Sequence, residues 1–243
     1  MVIKRFSFLL GSLATVLVIA GCATAPEKKS FDKSLRKDLR TIALLNIDEP
    51  TKYIASSLAN SGRGLGLVGG LASEMDMKDK TKQFTELIHE YIQPLGSHLK
   101  KSLADRLRLL GYEVKQVDVV RKEPNALISD YSKIKVDADA ILDVVIFQTG
   151  YASEESYSVK YEPVLTIMAR MVSGKNREVL YSEFVTYGHK LRRHKDEWVH
   201  IPARRNLVYP NFESLLNDGK QAAEELAAGT ESVAEYLAKN LSN

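Results

Sequence analysis

The sequence of 243 residues contains a single cysteine, which excludes an internal disulfide and a zinc site built from several cysteines. Excess charge of one sign is also scarce, because 34 Lys and Arg residues oppose 31 Asp and Glu residues and leave a net charge of +3. Such a small excess does not favour a nucleic-acid-binding protein. Hydrophobic residues at 44% and charged residues at 27% are ordinary values for a globular protein, which excludes a disordered or collagen-like chain.

The longest apolar run stands at the N-terminus, where Lys4 and Arg5 precede the apolar residues 6–20. A positive start followed by an apolar run shorter than the roughly 20 residues of a membrane span is typical of a secretory signal peptide. The run ends at the only cysteine, in the order Ile19-Ala20-Gly21-Cys22. A branched apolar residue, two small residues and a cysteine resemble the lipobox of bacterial lipoprotein precursors, in which the small residues admit the signal peptidase.

The lipobox resemblance implies that Cys22 carries a diacylglycerol, that residues 1–21 are removed, and that an acyl chain such as palmitate modifies the new amino group. Two or more acyl chains hold a protein stably at a membrane. By the same resemblance, Ala23 in place of an aspartate favours the outer membrane over the inner one. We therefore predict a periplasm-facing protein that is lipid-anchored at the outer membrane. An ordinary secretory signal, or a buried cysteine in a short helix, is the alternative.

The remainder of the chain predicts one folded unit after a spacer. Residues 22–40 contain the lipidated cysteine and then a polar stretch without apolar periodicity, which predicts a flexible linker. Residues 41–243 predict a single α/β domain, of the α+β kind, with a mixed sheet and the element order β-α-β-α-β-β-β-α. The predicted strands are 41–47, 112–120, 138–148, 159–172 and 178–187, and the predicted helices are 82–110, 125–131 and 212–241. Residues 51–61 carry a weak helical pattern.

The helix over residues 82–110 has the clearest pattern, because its apolar residues recur at spacings of three and four. Pro94 and Gly96 should kink or split it, and Ser97 could cap its second half. On the strand 178–187, alternation places Val179, Tyr181, Val185 and Tyr187 on one face and Leu180 and Phe184 on the other.

Two short motifs in this order resemble a known group of proteins. Residues Ala138-Asp139-Ala140-Ile141-Leu142 are similar to its strand entry, and Ala169-Arg170-Met171-Val172 with Arg177-Glu178-Val179-Leu180 is similar to its hairpin. The group comprises lipoproteins of the curli-secretion-channel type and the related peptidoglycan-synthase activators, whose fold is similar to the N-terminal domain of the Tol-system propeller protein. This chain departs from the pattern at Arg177, where glycine is common. The resemblance implies a binding, assembly or pore-forming protein that often works as an oligomer or docks onto an envelope partner.

A glycine-rich stretch at residues 62–70 supplies the first candidate contact site. Gly62, Gly66 and Gly70 recur at every fourth position, and small residues at that spacing allow close approach of helices in a membrane or between subunits. The stretch therefore predicts a membrane or homo-oligomer contact. A flexible loop is the alternative.

A basic segment supplies the second candidate. Residues 188–206 hold six Lys or Arg and two Asp or Glu, or +4, whereas residues 211–240 hold two and six, or −4. The basic segment could bind an anionic envelope partner, namely the phosphates of the glycolipid lipopolysaccharide, phospholipid headgroups or an acidic protein surface, through Arg192, Arg193, Lys195, Trp198, Arg204 and Arg205. Alternatively, the acidic helix of the same molecule balances the basic charge, and Trp198 caps the core.

Catalytic chemistry finds little support in the sequence. No Ser-His-Asp or Cys-His arrangement stands out, and the spacing of His189, His194 and His200 matches no standard metal site. We predict no enzymatic activity, no metal and no cofactor besides the lipid on Cys22, and a non-enzymatic role in envelope binding or assembly. The alternatives are an oligomeric secretion-channel-like component that uses residues 62–70, and a metal-dependent envelope enzyme.

Overall fold

The fold is taken from a computed structural model, which describes residues 26–57, 66–153, 160–190, 198–205 and 207–242. Its strands are β1 Thr41–Leu45, β2 Ile54–Ser57, β3 Glu113–Val117, β4 Ala140–Ser153, β5 Glu162–Ser173, β6 Val179–Gly188 and β7 Val199–Ile201. Its helices are α1 Gly66–Ile88, α2 Leu95–Leu109, α3 Phe212–Asn217 and α4 Gly219–Asn240. Short 3-10 helices cover Lys33–Asp38 and Tyr131–Lys133.

All seven strands belong to one mixed sheet with the order β3-β1-β4-β5-β6-β7, and β2 pairs with β4 as well. β1 is parallel to both β3 and β4, whereas β4, β5 and β6 form an antiparallel meander. The predicted class, a mixed-sheet α/β domain, is confirmed. The predicted strand positions hold for β1, β3, β4, β5 and β6.

One long strand, β4, serves as the backbone of the sheet. β1 pairs with its beginning, at Ala140–Leu142, and β2 pairs with its end, at Gly150–Ser153. Between these pairings, residues 46–53 leave the sheet and β4 bulges at Phe147, which opens a cavity of about 230 Å³. The prediction of helical structure over residues 51–61 is therefore wrong for Ile54–Ser57.

The outer edge of β2 is closed by side chains of α1 instead of by another strand. The hydroxyl of Thr85 accepts a hydrogen bond from the amide of Tyr53 at 2.9 Å, and that of Thr81 accepts one from Ala55 at 3.2 Å. Because Thr81 and Thr85 are four residues apart, both face the strand. This capping satisfies amide groups that would otherwise be unpaired at the strand edge.

The helices cover one face of the sheet, and a loop covers the other. Beneath the helices lies the main core, which includes Phe84, Leu99, Leu107, Tyr151, Ile167, Val185, Leu226 and Val233. On the opposite face, the segment after β3 brings Tyr131 and Ile134 onto Ala43, Ile141 and Val172. The predicted helix at 125–131 is wrong, because only Tyr131–Lys133 is helical there and Asp130 caps it through the amide of Ser132.

The predicted long helix splits before Pro94, as its sequence indicated, and α2 begins at Leu95. The prediction that Ser97 caps this helix is wrong. Glu49 caps the helix from a distant loop, because its carboxylate accepts hydrogen bonds from the amides of Gly96 and Ser97, both at 2.8 Å. The hydroxyl of Ser97 donates to the same carboxylate at 3.0 Å. A negative charge at a helix N-terminus is favourable, so this contact fixes the loop after β1 to α2.

Two further elements differ from the sequence pattern. The last helix breaks at Asp218 into α3 and α4. In β6, a bulge at Leu180 reverses the alternation of side chains before Tyr181. Val179 therefore packs on the loop-covered face of the sheet, and Leu180 packs on the helix-covered face, opposite to the prediction. Tyr181, Val185 and Tyr187 lie on the helix side as predicted.

Among the residues that the structure describes, no helix combines the length and the apolar character needed to cross a membrane.

Candidate functional site

The N-terminal segment of residues 28–40, here called the strap, is bound to the domain. Lys29 and Ser182 of β6 exchange two backbone hydrogen bonds, at 2.8 and 2.9 Å, in a closed antiparallel bridge. The ammonium of Lys28 lies 3.3 Å from the carboxylate of Glu183. The predicted flexible linker to residue 40 is therefore corrected, because its second half is packed structure and any linker ends before Lys28.

Glu183 gives the strap a specific attachment point. Its carboxylate is only 3% exposed, and it accepts hydrogen bonds from the hydroxyls of Tyr181 at 2.6 Å and Tyr236 at 3.0 Å. Burial, and then the neighbouring Glu183 charge, raise the pKa of both tyrosines, so the hydroxyls remain donors. Since Lys28 is the cation that contacts this carboxylate among the described residues, the strap neutralises a charge that the sheet buries.

The inner face of the strap is apolar. Phe31 and Leu39 are buried in the main core, and Leu35 packs against it. The three residues recur at every fourth position, and this spacing is the sequence signal from which packing of the strap on the core could have been predicted. Burying two large apolar side chains contributes about 3–6 kcal/mol, so the strap is an integral part of the fold.

Arg36 joins the strap to the end of α2. Its guanidinium donates to the carbonyl of Leu110 at 2.5 Å and lies 3.8 Å above the ring of Tyr112. A cation near the C-terminus of a helix and over an aromatic face is favourable in both respects. At the end of the strap, the amides of Arg40 and Thr41 donate to Asp139, both at 2.8 Å, and these bonds lower the pKa of that carboxyl.

The outer face of the strap is basic. The segment contains six Lys or Arg and two Asp residues, or +4. Lys33 and Lys37 are exposed, and neither forms a hydrogen bond or ion pair within the described part of the chain. Asp32 and Asp38 are exposed as well, and Lys28 and Lys29 contact Glu183 and Glu178 of the domain. The strap is thus amphipathic, with an apolar side on the core and a basic side in solvent.

The predicted basic segment is described only in part. Arg192, Arg193 and Lys195 lie outside the described residues. The other three predicted residues are Trp198, Arg204 and Arg205. The indole of Trp198 packs on Phe184, with ring centroids 4.2 Å apart, on the loop-covered face of the sheet. It therefore completes a hydrophobic cluster.

Arg204 and Arg205 face the acidic helix α4. One guanidinium nitrogen of Arg204 lies 3.8 Å from Glu235, and one of Arg205 lies 3.4 Å from Glu224. The amide of Arg204 also donates to the hydroxyl of Tyr187, which itself donates to the buried Glu225 at 2.5 Å. The structure pairs both arginines with acidic residues of the same molecule.

The other predicted site residues are dispersed. Cys22 and Gly62 lie outside the described residues, whereas Gly66 and Gly70 fall in the first two turns of α1. His189 contacts Glu162 at 2.8 Å and His200 contacts the carbonyl of Gly188 at 2.8 Å, and His194 is not among the described residues. The described ranges contain no group of three or more His, Cys, Asp or Glu side chains that could hold a metal ion.

The loop-covered face contains a buried ion pair that no local sequence pattern predicts. The side chain of Arg121 is 1% exposed and that of Asp143 is completely buried, and the guanidinium lies 2.7 Å from the carboxylate. The second oxygen of Asp143 accepts hydrogen bonds from the amide of Ile128 at 2.9 Å and the hydroxyl of Tyr131 at 2.8 Å. Burial, and then the Asp143 charge, raise the pKa of Tyr131. This cluster fastens the loop to β4.

No protein-family model matches the chain, and no curated protein matches it. Among solved structures, it is similar to protein XCC0632 from Xanthomonas campestris, with 10% identity, coverage of 90% of this chain and 93% of that chain, and a TM-score of 0.38. A PelC dodecamer from Paraburkholderia phytofirmans shows 12% identity, coverage of 89% and 96%, and a TM-score of 0.35. Protein CT253 from Chlamydia trachomatis shows 10% identity, coverage of 84% and 98%, and a TM-score of 0.39. At these values the similarity is distant and assigns no function.

Proposed function

We propose that this chain is an outer-membrane-anchored periplasmic lipoprotein with a non-enzymatic role in binding or assembling envelope components. The observation that carries the proposal is the order of three features at the N-terminus. A signal-like run ends in Ile19-Ala20-Gly21-Cys22, a short spacer follows, and the strap then docks on the domain from Lys28 onward. A lipid on Cys22 would therefore hold a folded domain at the membrane through a spacer of only a few residues.

An enzymatic role receives less support from the described side chains. The most triad-like arrangement joins α2 to α4, where His98 contacts Thr230 at 2.9 Å and Glu231 at 3.0 Å. Thr230 is completely buried, and its hydroxyl donates to the carbonyl of Ala227 at 2.7 Å. A nucleophile must reach its substrate, so this arrangement supports a structural link between the helices.

Metabolic labelling tests the anchor. Cells that express the full chain with labelled palmitate are expected to incorporate label into the wild type and not into Cys22→Ala, because the thiol receives the first lipid. Membrane fractionation should place the labelled wild type with the outer membrane. A matched Ser30→Ala chain, altered in the exposed part of the strap, should label like the wild type.

An unlabelled wild-type chain in the soluble fraction would contradict the lipoprotein proposal. Label that persists in Cys22→Ala would place the lipid on another residue. If the wild type is labelled, crosslinking it in intact envelopes and isolating the crosslinked complexes would identify the class of its partner.

A second candidate function is an oligomeric, secretion-channel-like component. The observation that favours it is that Gly66 and Gly70 lie in α1, four residues apart and so on one face of a helix. Small residues at that spacing permit close helix–helix contact. In this candidate, the first turns of α1 pack against a second copy of the chain.

The oligomer candidate predicts a loss of mass on substitution of these glycines. Gly66→Leu/Gly70→Leu is expected to convert a detergent-solubilised oligomer into a monomer, because two leucines hold the backbones apart. Light scattering coupled to size exclusion measures the mass. Asp79→Leu/Gln83→Leu is the matched control, with two leucines at the same spacing on an exposed part of α1. A wild type that is already monomeric would eliminate this candidate.

A further inference from the structure

The strap determines how far the domain can stand from its lipid anchor. Lys28 is fixed to Glu183, and Cys22 precedes it by six residues. At about 3.3–3.6 Å per residue, a fully extended spacer spans roughly 20–22 Å. If the strap were a free linker, the tether would run to Thr41 and could reach roughly 63–68 Å over 19 residues. Docking of the strap thus shortens the tether about threefold.

The strap also lies toward one end of the sheet. It begins beside Ser182 of β6 and finishes at Asp139, next to the first residue of β4. β2 and the part of α1 that caps it lie at the other end of β4, near Gly150–Ser153. Thirteen residue steps of strand separate the two ends of β4, which is about 43 Å.

The charge on the strap matches a lipid surface. Lys28 and Lys29 already contact Glu183 and Glu178, so the exposed charges that the strap offers are Lys33, Lys37 and Arg40 beside Asp32 and Asp38, an excess of one positive charge next to the anchor. Basic residues close to a lipid anchor are attracted to anionic headgroups, and one anchor plus a basic patch holds more firmly than either alone. The predicted basic segment offers less, because the described Arg204 and Arg205 already face carboxylates of α4.

We propose that the basic outer face of the strap lies on anionic phospholipid headgroups of the leaflet that holds the anchor, so that this end of the sheet faces the membrane. The inference rests on the proposed function, since it requires the lipid on Cys22. It leaves β2, α1 and the cavity between β1 and β2 turned toward the periplasm. The strap then acts both as part of the fold and as the membrane-contact surface.

Site-specific fluorescence tests this orientation, because the sequence has no cysteine other than Cys22. The lipidated chain carries a bimane label at Ser30→Cys in the strap or at Gln83→Cys on α1, both exposed positions. Each chain is reconstituted in vesicles of phosphatidylcholine with about 30% phosphatidylglycerol, or of phosphatidylcholine alone. Lipids with a nitroxide on the headgroup quench a label that lies at the surface.

We expect strong quenching at residue 30 and little at residue 83 in anionic vesicles, with a smaller difference in neutral vesicles or at high salt. Lys33→Gln/Lys37→Gln should lower the equilibrium constant for the orientation in which the strap contacts the membrane by about 25-fold. The factor is about fivefold for each basic residue removed. The control Lys82→Gln/Lys122→Gln removes the same charge from exposed positions outside the strap and should leave the quenching ratio unchanged.

Equal quenching at the two positions, or a ratio that ignores the strap charges, would overturn the proposed orientation while leaving the lipid anchor intact. Binding to lipopolysaccharide micelles without any response to phosphatidylglycerol would also overturn it, because the strap would then recognise a different surface. Absence of palmitate from Cys22 would refute the proposed function and the inference that rests on it, so labelling separates the two failures.

Discussion

Replacement of Asp143 by asparagine is expected to lower the free energy of unfolding by up to about 3–5 kcal/mol, because it removes the buried carboxylate 2.7 Å from the guanidinium of Arg121 and leaves that cation with the more distant carboxylate of Asp48, at 3.9 Å. The side chains of Arg121 and Asp143 are 1% and 0% exposed, so water cannot substitute for the lost carboxylate. For a domain of this size, such a loss lowers the Tm by roughly 6–20 °C. Urea denaturation followed by the fluorescence of the only tryptophan, Trp198, measures the change.

Two companion variants make this prediction specific. Arg121→Met/Asp143→Asn removes both charges while the asparagine oxygen can still accept from Ile128 or Tyr131, so it should recover at least half of the lost stability. Asp118 is exposed and lies 3.4 Å from Lys100, so Asp118→Asn should lower the Tm by no more than about 4 °C. If Asp143→Asn unfolds at the same urea concentration as the wild type, the buried ion pair is not formed in solution.

Substitution of Gly150 by alanine is expected to destabilise the protein by about 2–6 kcal/mol, the sum of backbone strain and a steric clash. Gly150 has a φ of +140°, and an added Cβ would lie 2.1 Å from the carbonyl oxygen of Ile54 on β2. Because the neighbour is backbone, it cannot move aside without separating β2 from β4. The variant should therefore unfold at a clearly lower urea concentration.

Gly111 provides the matched control for Gly150. Its φ is also positive, at +86°, but an added Cβ would approach no atom nearer than 3.5 Å, at Arg36. Gly111→Ala should cost only the left-handed backbone strain, about 1–2 kcal/mol. Equal midpoints for the two variants would contradict the close contact between Gly150 and β2.

The elements with strong local patterns could be predicted from the sequence. β4, β5 and β6 are long apolar runs, the turn residues Ser173-Gly174-Lys175-Asn176 separate β5 from β6, and the break at Pro94 follows from the missing amide of proline. β2 could not be predicted, because Ile54–Ser57 is short and is a strand only through its pairing with β4 and its capping by Thr81 and Thr85. The cap from Glu49 depends on a residue 47 positions before Gly96, which no local window contains.

The candidate site was harder to predict than the fold. The many charges of residues 28–40 suggested a linker, although Phe31, Leu35 and Leu39 recur at a spacing of four. What secures the strap is Glu183, and its buried carboxylate is recognisable only once β6 and α4 are in place. The predicted basic segment rests on its charge and on the neighbouring Trp198, and neither distinguishes a partner surface from the alternative that the structure shows for Arg204 and Arg205, which is pairing with α4.

The bridge between Lys29 and Ser182 can form only after β6 is available, which would order the events of the proposed secretion. In the proposed lipoprotein, export of the N-terminus first would present Cys22 to the modifying enzymes while β6, about 160 residues later, has yet to cross. During that interval the strap has no partner, and its contacts form late because their separation along the chain is large. Lipid attachment would thus take place on an unfolded, accessible segment, and completion of the fold would afterwards draw the domain toward the bilayer.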